Sequence, residues 1–200
     1  KKVVSLFKLM KKLNGEIKIK TAVFISGRGS NLKNLLKFSK KKISPISIDL
    51  IISDNKYATG LKFSEKFNIN KKIFNFNNTK IDSLLLEFIR KKDIKFICLA
   101  GFMRILSKKF LKNFNGKIIN IHPSLLPKYK GLNTHKKVIQ NKDKFSGCSV
   151  HYVNAKLDSG KIILKKKVKV YKKDTIRSLS NRVLKAEHKL YPLAILKIFN

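Results

Sequence analysis

Residues 21–38, TAVFISGRGSNLKNLLKF, decide the fold that the sequence predicts. Thr21–Ser26 is a short apolar run rich in β-branched and aromatic residues, which is typical of a buried strand. The loop Gly27–Asn31 follows it. The next apolar residues have the spacing of one helix face and are Leu32, Leu35, Leu36 and Phe38. A strand that leads through a glycine loop into a helix is the first unit of a parallel α/β sheet.

The alternation of strands and helices continues to about residue 121. Further strands are predicted at Ile46–Ile52, around Ile73, at Lys95–Leu99 and at Ile118–Ile121. The helices predicted between them are Tyr57–Phe67, Ile81–Ile89 and a short one that Ser107 caps and that runs to Phe110. Apolar strands separated by helices indicate a parallel sheet that is covered on both faces.

The second half of the sequence has a different pattern. Ser149–Val153 and Ile162–Tyr171 predict long strands joined by the turn-like residues Leu157–Gly160, and the later strand alternates valine with lysine as an antiparallel edge strand does. A final helix is predicted from Thr175 to Ile198, with Pro192 kinking it or dividing it in two. The predicted fold class is α/β, a doubly wound, mostly parallel sheet with an antiparallel C-terminal portion.

Length and charge bound the possible functions. A chain of 200 residues with 43% hydrophobic content can bury one substantial core, so we expect a single domain over residues 20–200 and an amino-terminal extension over residues 1–19. The net charge of +36 raises nucleic-acid binding as a hypothesis. The basic residues are nearly all lysines spread along the chain, whereas base and phosphate readout favours arginine. We therefore expect no specific nucleic-acid partner.

Cysteine usage and hydropathy exclude other classes. Cys98 and Cys148 lie far apart without a CxxC motif or a His/Cys cluster, which argues against a disulfide framework and a zinc site. We expect no metal. No stretch reaches the ~18 apolar residues of a membrane span, so we expect a cytoplasmic protein with no membrane partner.

Two polar side chains interrupt the apolar strand in GKIINIHPSLLPKYKG, residues 116–131. Asn120 and His122 are two positions apart, so on a strand both project from the same face, and Pro123 ends the strand after them. Open α/β sheets bind ligands at the carboxyl ends of their strands. An amide donor beside an imidazole suits an oxyanion and a proton transfer. From spacing alone, a structural hydrogen-bonded pair is an equal alternative.

Three other features are weaker candidates. The Gly27–Asn31 loop can bind phosphate through its backbone N–H groups and the helix amino terminus, or it is an ordinary turn with Ser30 or Asn31 as helix N-cap. Asp158 lies in a turn that could fold over the sheet edge, where a carboxylate raises the pKa of a nearby imidazole, or it is a turn residue only. The remaining histidines, each more often a packing residue, are His135, His151 and His188.

Six motifs in order resemble those of one family. They are VFISGRGSNLKNLL, ISDNKYATGL, LAGFMRILS, INIHPSLLPKYKGLNTH, GCSVHYVNAKLDSGKII and RVLKAEHKLYP, and they cover residues 20 to 196. The chain resembles the phosphoribosylglycinamide formyltransferases, folate-dependent enzymes of purine biosynthesis. The resemblance implies a Rossmann-like formyltransferase fold and transfer of a formyl group from 10-formyltetrahydrofolate, a co-substrate, to the amine of glycinamide ribonucleotide.

The resemblance also implies roles for individual residues. The catalytic residues would be Asn120, His122 and Asp158, with Asp158 tuning the histidine. The ribonucleotide would contact Gly29, Ser30 and Asn31 through its phosphate and Glu187 through its glycinamide end. The folate would contact Met103, Arg104, Ile105, Leu106, Asn120, Asn154, Ala155, Lys156, Leu157 and Asp158. Asn120 and a protonated His122 would stabilise the oxyanion intermediate. The implied partners are these two substrates, and the implied assembly is a monomer or homodimer.

Other formyl-folate enzymes share the Asn-x-His…Asp pattern. Methionyl-tRNA formyltransferase and formyltetrahydrofolate hydrolase are the nearest alternatives, and we expect each to need a further domain. Neither explains Gly27–Asn31 as a phosphate loop. A basic nucleic-acid-binding module is the alternative from another class, and it predicts binding with a steep salt dependence.

Overall fold

The computed structural model describes residues 18–199, and its strands form one sheet in the order β3-β2-β1-β4-β5-β6-β7. The strands are β1 (Ile19–Ile25), β2 (Ile46–Ser53), β3 (Asn70–Ile73), β4 (Phe96–Leu99), β5 (Lys117–His122), β6 (Phe145–Tyr152) and β7 (Ile162–Lys169). The helices are α1 (Ser30–Ser39), α2 (Lys62–Phe67), α3 (Ile81–Lys91), α4 (Lys108–Asn113), α5 (Thr134–Gln140) and α6 (Ile176–Phe199), and a 3₁₀ turn, Thr59–Leu61, precedes α2.

The sheet is mostly parallel, as the sequence predicts. Strands β1 to β5 pair only in parallel, whereas β6 runs antiparallel to both β5 and β7. The prediction of an α/β sheet with an antiparallel C-terminal portion is confirmed. The carboxyl ends of β1, β4 and β5 consequently lie side by side along one edge, which is where such sheets bind ligands.

Two apolar cores cover the two faces of the sheet. Helices α1 and α6 pack on one face, where Leu35 and Ile195 are fully buried. Helices α3 and α4 pack on the other, where Leu85 and Phe110 are buried. Full burial of such a side chain is worth about 1.5–3 kcal/mol. Helix α6 is further fixed to the sheet by the buried hydroxyl of Tyr191, which donates to the carbonyl oxygens of β4 and β5.

Helix α6 is continuous, so of the two predicted effects of Pro192, a kink or a division, the division is wrong. The helix runs from Ile176 to Phe199 with Pro192 inside it. Proline cannot donate to the carbonyl four residues earlier, which belongs to His188. The side-chain amide of Asn34 in α1 donates to that carbonyl instead, at 2.7 Å. A tertiary hydrogen bond thus satisfies the group that the proline leaves free.

Other differences from the sequence analysis are small. The predicted helix Tyr57–Phe67 begins later, as a 3₁₀ turn at Thr59, and the sequence analysis assigned no element to α5. The proposed extension at residues 1–19 falls outside the described residues, apart from residues 18 and 19. Within residues 18–199, no helix has the length and apolar character that crossing a membrane requires.

Candidate active site

The polar pair of β5 projects where the strand ends. Asn120 and His122 alternate with the buried Ile119 and Ile121, so the two polar side chains share one face. The antiparallel pairing of β5 with β6 places Asn120 opposite His151 and His122 opposite Ser149. The strand therefore presents an amide and an imidazole together, with a second imidazole from its neighbour.

Asp158 closes this cluster from the loop between β6 and β7. Its Oδ2 lies 3.3 Å from His122 Nδ1, and its Oδ1 lies 3.5 Å from Asn120 Nδ2. The backbone N–H of Gly131 donates to Oδ2 at 2.9 Å. Burial raises the pKa of Asp158, but the contact with the His151 ring, the hydrogen bond from the Gly131 N–H and the nearby His122 ring together outweigh it, so the pKa is lowered and the side chain is a carboxylate.

Both ring nitrogens of His122 face acceptors. Nε2 lies 2.9 Å from the carbonyl oxygen of Tyr129, and Nδ1 faces Asp158. Desolvation is the largest influence and lowers the pKa of His122, although the Tyr129 carbonyl and Asp158 act in the opposite direction. Asp158 does raise the pKa of His122, as expected. The pKa is nevertheless below its usual value, because burial destabilises the charged ring by more than Asp158 and the Tyr129 carbonyl stabilise it.

His151 belongs to the cluster, although the sequence analysis gave it no role. Its Nε2 lies 3.3 Å from Asn120 Nδ2 and 3.5 Å from Asp158 Oδ1. Its Nδ1 donates to the carbonyl of Tyr152 at 2.8 Å, so in the neutral tautomer Nε2 is the acceptor for the Asn120 amide. The motif SVHY placed His151 on a strand, but only the register of β5 against β6 shows its partner.

The other two histidines stay outside this cluster. Burial lowers the pKa of His135, at the start of α5, and of His188, in α6. Neither side chain makes a hydrogen bond or ion pair to Asn120, His122 or Asp158 among the contacts of residues 18–199. The packing role that the sequence favoured for His135 and His188 stays a prediction.

The glycine loop is shaped by the conformation of Gly29 and its close approach to Gly60. Gly29 adopts φ 70°, and a Cβ there would lie 2.8 Å from Gly60 Cα. Gly29 also occupies the N-cap position of α1 without a side-chain cap, so the alternative in which Ser30 or Asn31 caps the helix is wrong. The first N–H groups of α1 accordingly remain open to a ligand at the carboxyl edge of β1.

Glu187 lies against this loop. Asn31 Nδ2 donates to Glu187 Oε2 at 2.7 Å, and both side chains are buried. Burial raises the pKa of Glu187 to about 7, with the Asn31 hydrogen bond opposing. The structure thus brings Glu187 to Asn31, and the expectation that Glu187 contacts the glycinamide end of the substrate stays a prediction. Asn31 Oδ1 is buried without a partner.

A cleft next to Asn120 and Asp158 collects most of the residues expected to bind folate. Its lining includes Arg104, Ile105, Leu106, Asn120, Asn154, Lys156, Leu157 and Asp158. Leu99, His151 and Val153 complete it. Two expected residues, Met103 and Ala155, are not part of the lining.

The segment 103–106 is held by a polar bridge. The Met103 N–H donates to Ser26 Oγ at 2.8 Å, Ser26 Oγ donates to Asp54 Oδ1 at 2.6 Å, and Arg104 Nε pairs with Asp54 Oδ2 at 3.0 Å. The Arg104 guanidinium is therefore paired with the residue that follows β2, and this bridge fixes one wall of the cleft to the ends of β1 and β2. No group of three or more His, Cys, Asp or Glu residues within residues 18–199 is arranged to hold a metal ion.

The sequence was compared with models of known protein families. The sequence model of the formyl transferase family matches residues 19–195. The chain therefore belongs to the formyl transferase family.

Individual relatives narrow the class. Phosphoribosylglycinamide formyltransferase of Haemophilus influenzae is 39% identical over 180 residues, which are 88% of this chain and 85% of that protein. The crystal structure of phosphoribosylglycinamide formyltransferase from Brucella melitensis is 38% identical with a TM-score of 0.86 and covers 91% of this chain and 96% of that chain. Human trifunctional purine biosynthetic protein adenosine-3 is 41% identical over 89% of this chain, which spans only 18% of that protein. Within the family, the chain groups with the phosphoribosylglycinamide formyltransferases.

Proposed function

We propose that this chain transfers the formyl group of 10-formyltetrahydrofolate to the amine of glycinamide ribonucleotide. One observation carries the proposal: Asn120 and His122 from β5 meet the Asp158 carboxylate at the end of the strand, beside a cleft and along the same sheet edge as a glycine loop. The names of the relatives that this chain matches over most of its length support formyl transfer to the ribonucleotide.

The ribonucleotide phosphate is proposed to bind at Gly29, Ser30 and Asn31. The open N–H groups at the start of α1 and the positive end of the helix dipole favour a phosphate there. Because Asn31 contacts Glu187, we propose that Glu187 reaches the part of the nucleotide next to its phosphate. The substrate then extends along the edge from β1 towards His122.

The folate is proposed to bind in the cleft that Asn120 and Asp158 border. Leu99, Leu106 and Val153 give it apolar walls, and Asn154 supplies polar groups, a mixture that suits a planar ring with polar edges. The cleft encloses about 70 Å³, which is small for a bicyclic ring. Ile105 and Leu157 at its mouth are 70% and 53% exposed. These exposed apolar side chains are therefore available to pack against the ring.

The chemistry follows from the groups at the strand end. The neutral substrate amine attacks the formyl carbon, a new C–N bond forms, and the formyl oxygen becomes an oxyanion. Asn120 and His122 donate hydrogen bonds to that oxygen. The bond from the formyl carbon to the folate nitrogen then breaks, and the proton lost by the amine passes to that nitrogen through a water that Asp158 orients.

The protonation of His122 is coupled to this step. Burial lowers the pKa of the imidazole in the free protein, so the charged ring is disfavoured before reaction. An oxyanion next to the ring raises its pKa, because an opposite charge favours the charged form. A proton on Nδ1 would also be shared with Asp158 Oδ2. The site thus holds the proton most strongly in the transition state, which is where stabilisation accelerates the reaction.

The test is a transfer assay with purified protein, glycinamide ribonucleotide and 10-formyltetrahydrofolate, in which mass spectrometry detects the formylated nucleotide. We expect turnover that EDTA does not reduce. His122→Ala and Asn120→Ala should each lower kcat by about 10²–10³-fold, as loss of an oxyanion donor does. Asn113→Ala, which removes an exposed amide within α4, is the matched control and should retain wild-type turnover.

The same assay separates the alternatives. Folded wild-type protein that does not formylate the ribonucleotide would contradict the proposal, and formylation of methionyl-tRNA in its place would identify the nearest alternative. A salt titration against nonspecific RNA tests the binding-module hypothesis, which needs tight binding at physiological ionic strength and a steep salt slope.

A further inference from the structure

The loop between β5 and α5 contacts both His122 and Asp158 of the candidate site. The carbonyl of Tyr129 in this loop accepts from His122 Nε2 at 2.9 Å. The N–H of Gly131, two residues later, donates to Asp158 Oδ2 at 2.9 Å. The Tyr129 carbonyl and the Gly131 N–H, which belong to one short segment of backbone, therefore fix the imidazole and the carboxylate relative to each other.

A carboxylate outside the site holds this loop. Asp143, which follows α5, accepts hydrogen bonds from Lys128 Nζ at 2.7 and 2.9 Å and from the Tyr129 hydroxyl at 2.8 Å. Its side chain is 17% exposed. Burial raises the pKa of Asp143, but the hydrogen bonds from Lys128 and Tyr129 outweigh it and lower the pKa. Asp143 is thus a charged acceptor for two successive loop residues.

The loop backbone needs such an anchor. Tyr129 has φ 57°, in the left-handed region, which a residue with a β carbon adopts only when surrounding contacts enforce it. A cavity of about 230 Å³ lies beside the Tyr129 ring, lined also by Leu125, Val138 and Asp143. Packing on that side therefore leaves the ring room to move, and the hydrogen bond to Asp143 fixes the end of the side chain.

The first half of the loop has separate supports. The Ser149 hydroxyl on β6 donates to the Ser124 carbonyl at 2.7 Å and accepts from the Leu126 N–H at 3.0 Å. The Ser124 hydroxyl donates to the Lys128 carbonyl at 2.7 Å. These bonds hold residues 124–128 when Asp143 is removed, so the loss of Asp143 affects mainly the Tyr129 peptide.

We propose that Asp143 is a positioning residue that orients the His122 imidazole through Tyr129. The inference rests on the proposed function for its effect on turnover, while its effect on the ring is independent of any reaction. Without Asp143, the Tyr129 backbone relaxes towards negative φ and its carbonyl turns away from Nε2. The ring then loses the acceptor that selects the Nε2–H tautomer, because that tautomer is set by the hydrogen bond at the same nitrogen.

Two variants test this chain of contacts. Asp143→Ala removes the anchor, and Tyr129→Phe removes only the hydroxyl that reaches it. Glu87→Ala is the matched control, since it removes a carboxylate that pairs with Lys91 at 2.7 Å on the exposed face of α3. The first readout is the ¹⁵N chemical shifts of the His122 ring, which report its tautomer, with the signals assigned by comparison with His122→Gln.

The second readout is steady-state kinetics of formyl transfer. We expect both test variants to shift the His122 ring signals and to lower kcat about tenfold, while KM for the ribonucleotide changes less than about twofold, since a displaced catalytic group slows the chemical step. The control should match the wild type in both readouts.

The outcomes separate the possible failures. Variants with lower unfolding free energy and lower kcat but unchanged His122 signals would show that Asp143 only stabilises the fold, which overturns the proposal. Unchanged signals and unchanged kcat would overturn it as well. A third outcome is that the variants shift the His122 signals but the wild-type protein itself transfers no formyl group. That result would support the positioning role of Asp143 and contradict the proposed function instead.

Discussion

The buried carboxyl of Glu187 makes the stability of this protein depend on pH in a predictable way. Burial raises its pKa from 4.5 to about 7 in the folded protein. In the unfolded chain the side chain is in water and titrates near 4.5. Between these values the unfolded state releases a proton that the folded state keeps, so the unfolding free energy falls as pH rises.

The size of this effect follows from the shift. The difference between 7 and 4.5 is 2.5 units, and each unit corresponds to 1.36 kcal/mol, which gives about 3 kcal/mol. This stabilisation is fully present below about pH 4.5 and is lost as pH rises through about 7. Glu187→Gln removes the titration, so the variant should gain about 3 kcal/mol relative to the wild type across that range.

The measurement is urea denaturation of the wild type and Glu187→Gln at several pH values from 4.5 to 8. The quantity of interest is the difference in unfolding free energy, because contributions of other groups, such as the buried histidines, cancel in it. Glu87→Gln, on the exposed face of α3, is the control and should show no comparable rise. A difference that stays constant with pH would refute the burial of an ionisable Glu187 against Asn31.

Further predictions concern the catalytic cluster and the glycine loop. Asp158→Asn keeps the size of the side chain but removes the charge that faces His122. We expect kcat to fall at least about 10²-fold with KM nearly unchanged. Unchanged turnover would show that Asp158 has no part in the mechanism. Gly29→Ala adds a Cβ 2.8 Å from Gly60 Cα at φ 70°. We expect the Kd for the ribonucleotide to rise at least tenfold. Calorimetric titration with the nucleotide measures this Kd, and an unchanged value would contradict the prediction.

The parallel half of the fold could be predicted because its signals are local. Runs such as Phe96–Leu99 are buried on both faces, and a strand of that kind is apolar throughout. Helix α5 carries a weaker signal, since among its seven residues only Thr134 and Val138 are buried. The continuity of α6 was not predictable from a local pattern, because the group that satisfies the His188 carbonyl comes from Asn34, 154 positions away.

In the candidate site, too, local features could be predicted from the sequence and tertiary contacts could not. Asn120 and His122 stand out because polar side chains interrupt an apolar strand, and the two-residue period places them on one face. The role of His151 depends on an antiparallel register, and the net pKa of His122 depends on burial that no spacing reveals. The contact of His122 with the Tyr129 carbonyl could not be predicted either, because every residue has a backbone carbonyl and the sequence does not show where it points.

The placement of the buried acids links stability to function. Among residues 18–199, Asp158 and Glu187 are the acidic residues that are buried as whole residues. Asp158 contacts His122 and Glu187 contacts Asn31. Burying a carboxyl group costs free energy that packing does not return. The Glu187 penalty of about 3 kcal/mol at neutral pH follows from its raised pKa. An apolar side chain would fill the Glu187 position at less cost, so stability does not account for this acid, and the proposed function gives it a role in binding the substrate.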